Sequence, residues 1–246
     1  WTRGERDWTD QFMNEILPLR KLDGVRQPLV RPAYRILTSA HVSVVELFDA
    51  VDALDTARRR ANGSPKGRKS KSEIDILRSA IVLTSAGLDA SMKRLVTDVG
   101  RHLIMQDGTG ARHEYELQLK REMEKRKVSD PFRQAVLAVD PVDELLTFYL
   151  SEKTKASFHG SGDLKKRVRH TLGISSSVVS DSVLEGLNSF FQSRNKIVHS
   201  MDLQDPSSDS LAREHRDFNV VVTQCNMVFE VAVDLILGAV EACKKA

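Results

Sequence analysis

The sequence predicts an all-α protein, and three observations lead to that prediction. Apolar residues recur at three- and four-residue steps over several long stretches, which is the period of a helix. No segment shows the strict two-residue alternation of a half-buried strand. The 246 residues include only 13 glycines and 7 prolines, and the prolines lie mostly between the periodic stretches. We therefore expect a helical bundle.

Composition limits the class of protein. With 246 residues, of which 41% are hydrophobic and 29% charged, the chain can bury one large core or two small ones. Its net charge of +3 is common among proteins that bind no nucleic acid. Cys225 and Cys243 fall in one predicted helix, too far apart for a disulfide, which fits a reducing compartment. Because no run of 18 apolar residues and no signal-peptide pattern is present, we expect a cytoplasmic protein without a membrane span.

The first third of the chain begins with an N-terminal helix and extended segment, residues 1–31. Within it, 5–17 is predicted to be a short helix and 19–31 an extended stretch rich in proline and glycine. After Pro32 a long helix begins, and residues 61–71 form a basic loop of Gly, Ser and Pro that cannot join a core. The apolar face of this helix comprises Leu37, Ala40, Val44, Phe48, Val51 and Leu54.

A second long helix is expected to start at Ser72, with Asp75 completing its cap, and to run to about residue 105. Its apolar positions are Ile74, Leu77, Ile81, Leu88, Leu95, Val99 and Leu103. Residues 111–127 are almost entirely polar or charged, which is typical of a solvated helix or a protruding arm. One or two further helices are expected over 131–157.

The last third begins with a mixed polar region, 158–182, that contains a short helix over 162–172. A helix over 180–199 follows and turns Leu184, Leu187 and Phe191 inward. After a polar loop over 200–210, the last helix is predicted to cover 211–245. It is expected to be buried along Val221, Val228, Ala232, Leu235 and Ala239.

The chemically most informative segment is Ser193–Ser200, at the end of the helix over 180–199. It contains Arg194, Asn195 and His199 within six residues. Arginine binds phosphate with a planar fork of donors, and histidine exchanges protons near neutral pH. This combination can cleave a phosphodiester without a metal. His199 would take the proton of a ribose 2′-hydroxyl, and Arg194 would stabilise the charge that develops on the phosphate.

The spacing within the motif raises a geometric question. Asn195 and His199 are four residues apart and share a helix face, whereas Arg194 and His199 are five apart and diverge by about 140°. Either His199 lies in a frayed helix end, or a second copy of the chain brings its own motif across a two-fold axis. The second solution predicts a homodimer and supplies two histidines for acid–base cleavage. The products would be a 2′,3′-cyclic phosphate and a 5′-hydroxyl.

The run Arg194–His199, late in an all-α chain, resembles the Arg-x4–6-His motif of the HEPN superfamily. Ser85–Ala90 resembles an early HEPN helix, in which an acidic residue often supports the Arg–His pair, so Asp89 is the supporting candidate. The resemblance implies a HEPN-like helical domain over 32–246. Within it, residues 107–170 form either a separate lobe or an insertion that shapes the cleft.

Members of this superfamily are commonly metal-independent endoribonucleases in toxin–antitoxin, phage-defence and RNA-processing systems. They usually act as dimers and are often held inactive by a partner protein, while other members only bind. The resemblance therefore implies an RNA-cleaving homodimer with a neutralising partner, and a non-catalytic module that binds RNA, a nucleotide or a protein is the alternative.

The remaining polar residues give weaker predictions. Lys196 and the strip Lys165, Lys166 and Arg167 could contact an RNA backbone, or could simply be solvated. In the alternative interpretation, His199 interacts with helix-end carbonyl groups, beside a solvated Arg194. The histidines and cysteines show no metal-ligand spacing, and no nucleotide-binding fingerprint is present, so we expect neither metal nor cofactor. A helical scaffold without a nucleic-acid role stays open as a third interpretation.

Overall fold

The computed structural model describes residues 15–22, 27–62 and 69–246, and over these ranges it confirms an all-α fold. The only β pairing in the described ranges is an isolated antiparallel bridge between Leu203 and Arg213. A 3-10 turn over Pro28–Val30 leads into the first helix. The helices are α1 Arg31–Asn62, α2 Lys71–Ile104, α3 Gly110–Met123, α4 Asp130–Val136, α5 Pro141–Thr154, α6 Ser161–Asp163, α7 Asp181–Glu185, α8 Asn188–Ser200 and α9 Phe218–Lys245.

The two long helices α1 and α2 pack closely along their length. Gly87 makes this possible, because a Cβ added to it would lie 2.2 Å from the Cβ of Ala40. Ser91 donates a hydrogen bond to the carbonyl of Ala33 at 2.8 Å, which joins the same two helices. The predicted apolar face of α1 is buried from Leu37 to Val51, but Leu54 at the end of that face is 42% exposed and lies outside the core.

The start of α2 differs from the prediction by two residues. Ser70, not Ser72, is the N-cap: its hydroxyl accepts from Glu73 N at 3.2 Å, and the Glu73 carboxylate accepts from Ser70 N at 2.6 Å. Burial raises the pKa of Glu73, but hydrogen bonds from Ser70 and the ion pair with Arg58 outweigh it, so the pKa is lowered overall. The predicted loop over 61–71 falls mainly on residues outside the described ranges.

The last helix, α9, runs through the core but begins later than predicted. It starts at Phe218, where Asp217 caps Asn219 N and Val220 N, so residues 211–217 are not helical. By length and composition α9 could cross a membrane, a test that a buried core helix also passes, and most of its apolar window is buried. Leu17 N donates to Asn226 Oδ1 at 2.9 Å, which fixes the described N-terminal residues on α9.

The prediction of a helix over 5–17 lies almost entirely outside the described residues, and 15–17 are not helical. Residues 19–22, part of the stretch predicted as extended, form no helix.

Residues 107–170 contribute to the same core as the long helices. Tyr115 of α3 and Tyr149 of α5 meet edge to face with ring centroids 5.3 Å apart, and both belong to the main hydrophobic cluster. Glu122, predicted to lie on a solvated face, is buried beside Lys125. Two helices, α4 and α5, confirm the prediction of one or two helices over 131–157.

The region before the motif is less regular than predicted. The short helix expected over 162–172 is α6 followed by a π-helical stretch, Leu164–Arg169. The helix expected over 180–199 is broken into α7 and α8 at Gly186 and Leu187. Glycine is unfavourable in a helix interior, and the last i→i−4 hydrogen bond of α7 runs from Gly186 N to Ser182 O. Leu184, Leu187 and Phe191 point inward as predicted.

Candidate functional site

Helix α8 presents the predicted motif at the molecular surface. Phe190, Phe191 and Ile197 are buried, which fixes the rotation of the helix against the core. Arg194 and Asn195 then lie half-buried at the edge of that contact. The amphipathic pattern of α8 therefore determines which way the two polar side chains face.

Arg194 and Asn195 form a small cluster with a histidine from another segment. Arg194 Nη1 donates to Asn195 Oδ1 at 3.0 Å and lies 3.3 Å from His159 Nδ1. Asn195 Nδ2 donates to the carbonyl of His159 at 3.4 Å. Among the described residues, no carboxylate forms an ion pair with Arg194. Its hydrogen-bond partners in these ranges are an amide and an imidazole, so an anion can bind there without displacing an acidic side chain.

The segment carrying His159 is tied to the rest of the molecule by two carboxylates. Asp89 of α2 accepts from Phe158 N at 2.9 Å, and Asp163 accepts from His159 N at 2.9 Å. Asp89 also pairs with Lys93 at 2.7 Å. Asp89, the predicted supporting residue, thus forms no hydrogen bond or ion pair with Arg194 or His199, but it anchors the backbone next to His159.

The surface around His159 is open. A Cβ added to Gly160 or Gly162 would meet no atom within 4 Å, and the His159 side chain is exposed. An extended ligand could therefore approach the cluster without a rearrangement of the core.

His199 lies apart from this cluster. It occupies the last turn of α8, which remains a regular helix to Ser200, so a frayed end does not bring His199 toward Arg194. Its side chain is exposed and forms no hydrogen bond or ion pair with any described residue. The structure brings Arg194 and Asn195 together and does not join His199 to them.

The loop after α8 is held by a buried charge cluster. Asp202 is fully buried, and its Oδ2 accepts from Arg78 Nε and from Arg216 Nε, both at 2.9 Å. Arg216 also donates to Ser193 Oγ at 3.0 Å, one residue before Arg194. Met201 and Asp202 have positive φ values of 51° and 62°. These contacts fix the chain that leaves α8 and the helix surface next to the motif.

The four basic residues predicted to bind substrate have different environments. Lys196 pairs with Glu214 at 3.0 Å, and Lys165 pairs with Asp181. Hydrogen bonds from Lys165 and Arg169 lower the pKa of Asp181. Arg167 donates to three backbone carbonyls, those of Lys153, Ala156 and Ser157. Lys166 is exposed, and its ammonium group has no acidic partner in the described ranges. Of the four side chains it is therefore the most available to bind an anion.

No feature of the sequence linked His159 to the Arg194–His199 motif. It lies 35 residues before Arg194, and the sequence only placed it among histidines without metal-ligand spacing. Its proximity to Arg194 depends on the packing of α8 against the segment after α5, which no local pattern encodes.

The comparisons with protein families, with curated proteins and with solved structures find no match for this chain. Over the described residues, no three His, Cys, Asp or Glu side chains converge as metal ligands would. The HEPN resemblance therefore remains a prediction from the motif.

Proposed function

We propose that the chain is a metal-independent endoribonuclease whose phosphate-binding group is Arg194. The observation that supports the proposal is the surface cluster in which, among the described residues, Arg194 hydrogen-bonds only with Asn195 and a histidine ring. An arginine without a carboxylate partner can donate to two phosphate oxygens at once. Such a donor stabilises the negative charge that builds on a phosphate during attack.

The reaction needs a group that takes the proton of the 2′-hydroxyl. The 2′-oxygen then attacks the adjacent phosphorus, the bond from phosphorus to the 5′-oxygen breaks, and that oxygen takes up a proton. The products are a 2′,3′-cyclic phosphate and a 5′-hydroxyl. His199, the choice made from the sequence, can serve at Arg194 only if a second copy of the chain brings it there. A toxin or phage-defence setting follows from the HEPN resemblance alone.

The homodimer is thus a separate part of the proposal. Light scattering at the concentration of the activity assay is expected to give the mass of two chains if His199 acts across a shared cleft. A mass of one chain would remove His199 from the reaction at Arg194 but would leave the single-chain cluster intact.

The activity itself is tested with a labelled structured RNA in excess EDTA. The proposal expects cleavage to cyclic-phosphate ends, and no cleavage of a DNA of the same sequence, because DNA lacks the 2′-hydroxyl. Retention of RNA without cleavage, weakening as salt rises, would instead support the non-catalytic binding module.

A further inference from the structure

We propose that His159, rather than His199, takes the proton of the 2′-hydroxyl. The proposal rests on the proposed ribonuclease function and assigns its base to the chain that also supplies Arg194. The main evidence for this assignment is the 3.3 Å contact between His159 Nδ1 and Arg194 Nη1.

The chemistry of that contact identifies the reactive nitrogen. Arginine has donors and no acceptor, so the histidine nitrogen facing it carries a lone pair. The lone pair of Nδ1 therefore points toward the group that binds the phosphate. When a phosphate takes the guanidinium donors, Nδ1 is released beside the scissile group, with no movement of the backbone required.

The position of His159 is fixed from both sides. Asp89 and Asp163 hold the amides of Phe158 and His159, and Asn195 donates to the His159 carbonyl. Asn195 therefore acts as a positioning residue that links the histidine segment to α8. His199, about 140° from Arg194 around the same helix, has no comparable relation to the phosphate-binding group.

Every proton transfer in this reaction can be carried out by one chain and solvent. His159 Nδ1 accepts the 2′-hydroxyl proton as the new bond from oxygen to phosphorus forms. The bond from phosphorus to the 5′-oxygen breaks, and water protonates that oxygen. The protonated imidazole then returns its proton to solvent, so no metal, oxidant or second histidine enters the balance.

The test compares RNA cleavage by the wild type, His159→Ala, His199→Ala and the exposed control His113→Ala, all in EDTA. His159→Ala is expected to lose roughly 10²- to 10⁴-fold in rate, the usual contribution of a positioned base. Added imidazole is expected to restore part of that loss, which a purely structural defect would not show. The exposed control His113→Ala should keep the wild-type rate, and His199→Ala should lose far less than His159→Ala if His159 is the base.

Two results would overturn the assignment, and they are distinguishable. Full activity of His159→Ala with loss in His199→Ala would move the base to His199 and leave the ribonuclease proposal standing. An inactive wild type would overturn both proposals together. Circular dichroism of His159→Ala controls for folding, and its exposed side chain makes a folding defect an unexpected outcome.

Discussion

Asp202 is a fully buried carboxylate between two guanidinium groups, those of Arg78 and Arg216. Burying one charge between two others is costly unless every partner remains in place. The left-handed backbone at Asp202, with φ of 62°, is one that asparagine also tolerates. The substitution Asp202→Asn therefore removes the charge with little change in backbone preference.

We expect Asp202→Asn to lower the free energy of unfolding by about 3 kcal/mol, because it removes the buried carboxylate that pairs with Arg216 and Arg78, while Arg78 keeps its ion pair with Asp75 at 2.8 Å. Denaturant unfolding measures the effect. Asp209→Asn, in the exposed part of the same loop, is the matched control and should change stability by less than about 0.5 kcal/mol. Equal stability of the two variants would show that the cluster does not fix the loop.

The two thiols should differ in reactivity. Burial raises the pKa of Cys225 to about 12, and Thr84 donates to its sulfur at 3.3 Å. The reactive species is the thiolate, so native Cys225 should not react with a thiol reagent near pH 8. In Cys243→Ser protein we expect no labelling until denaturant is added, and then one thiol per chain. Rapid labelling of the native variant would place Cys225 in contact with solvent.

At the scale of single residues, the sequence placed Arg194 and Asn195 on one helix, where adjacent positions need no tertiary information. It missed His159, because a contact between positions 159 and 194 depends on how α8 packs. It also missed Asp202, whose ion pairs with Arg78 and Arg216 are visible only in three dimensions.

Among the elements, α2 offers a direct test of its own boundary. The structure assigns its cap to Ser70, whereas the sequence pattern favoured Ser72. Ser70→Ala should cost about 1 kcal/mol of stability, the usual value for a lost N-cap. Ser72→Ala, on the exposed first turn, should cost less than about 0.5 kcal/mol. Thermal or denaturant unfolding of the two variants measures both costs. A larger loss of stability in Ser72→Ala than in Ser70→Ala would support the helix start predicted from the sequence.

Long apolar periods located the helices, but polar contacts determine where some of them begin. The periodic faces of α1, α2 and α9 located these helices. The predicted start of the last helix at residue 211 failed because Arg213 and Arg216 pair with Asp75 and Asp202, which keeps 211–217 extended along the surface. These ion pairs have no signature in local sequence.

For the whole molecule, the most informative contact is between α1 and α2 at Gly87. Among the glycines in the described ranges, an added Cβ would come closest to a neighbouring atom there. In Gly87→Ala, overpacking of about 1–3 kcal/mol should outweigh the roughly 1 kcal/mol that alanine gains over glycine inside a helix. We therefore expect a lower free energy of unfolding. Gly162→Ala, where the added Cβ meets open space, should leave stability unchanged or slightly raised. Stabilisation by Gly87→Ala would mean that the two helices pack less closely.

The measurement that tests the proposed activity most directly is cleavage of a labelled structured RNA in excess EDTA by the wild type, Arg194→Ala and Arg126→Ala. Arg126 is an exposed arginine with no partner among the described residues, so it controls for lost positive charge. We expect cyclic-phosphate products from the wild type and Arg126→Ala, and a loss of at least about 10²-fold in Arg194→Ala. Equal cleavage by Arg194→Ala and the wild type, or no cleavage by any of the three, would contradict the proposal.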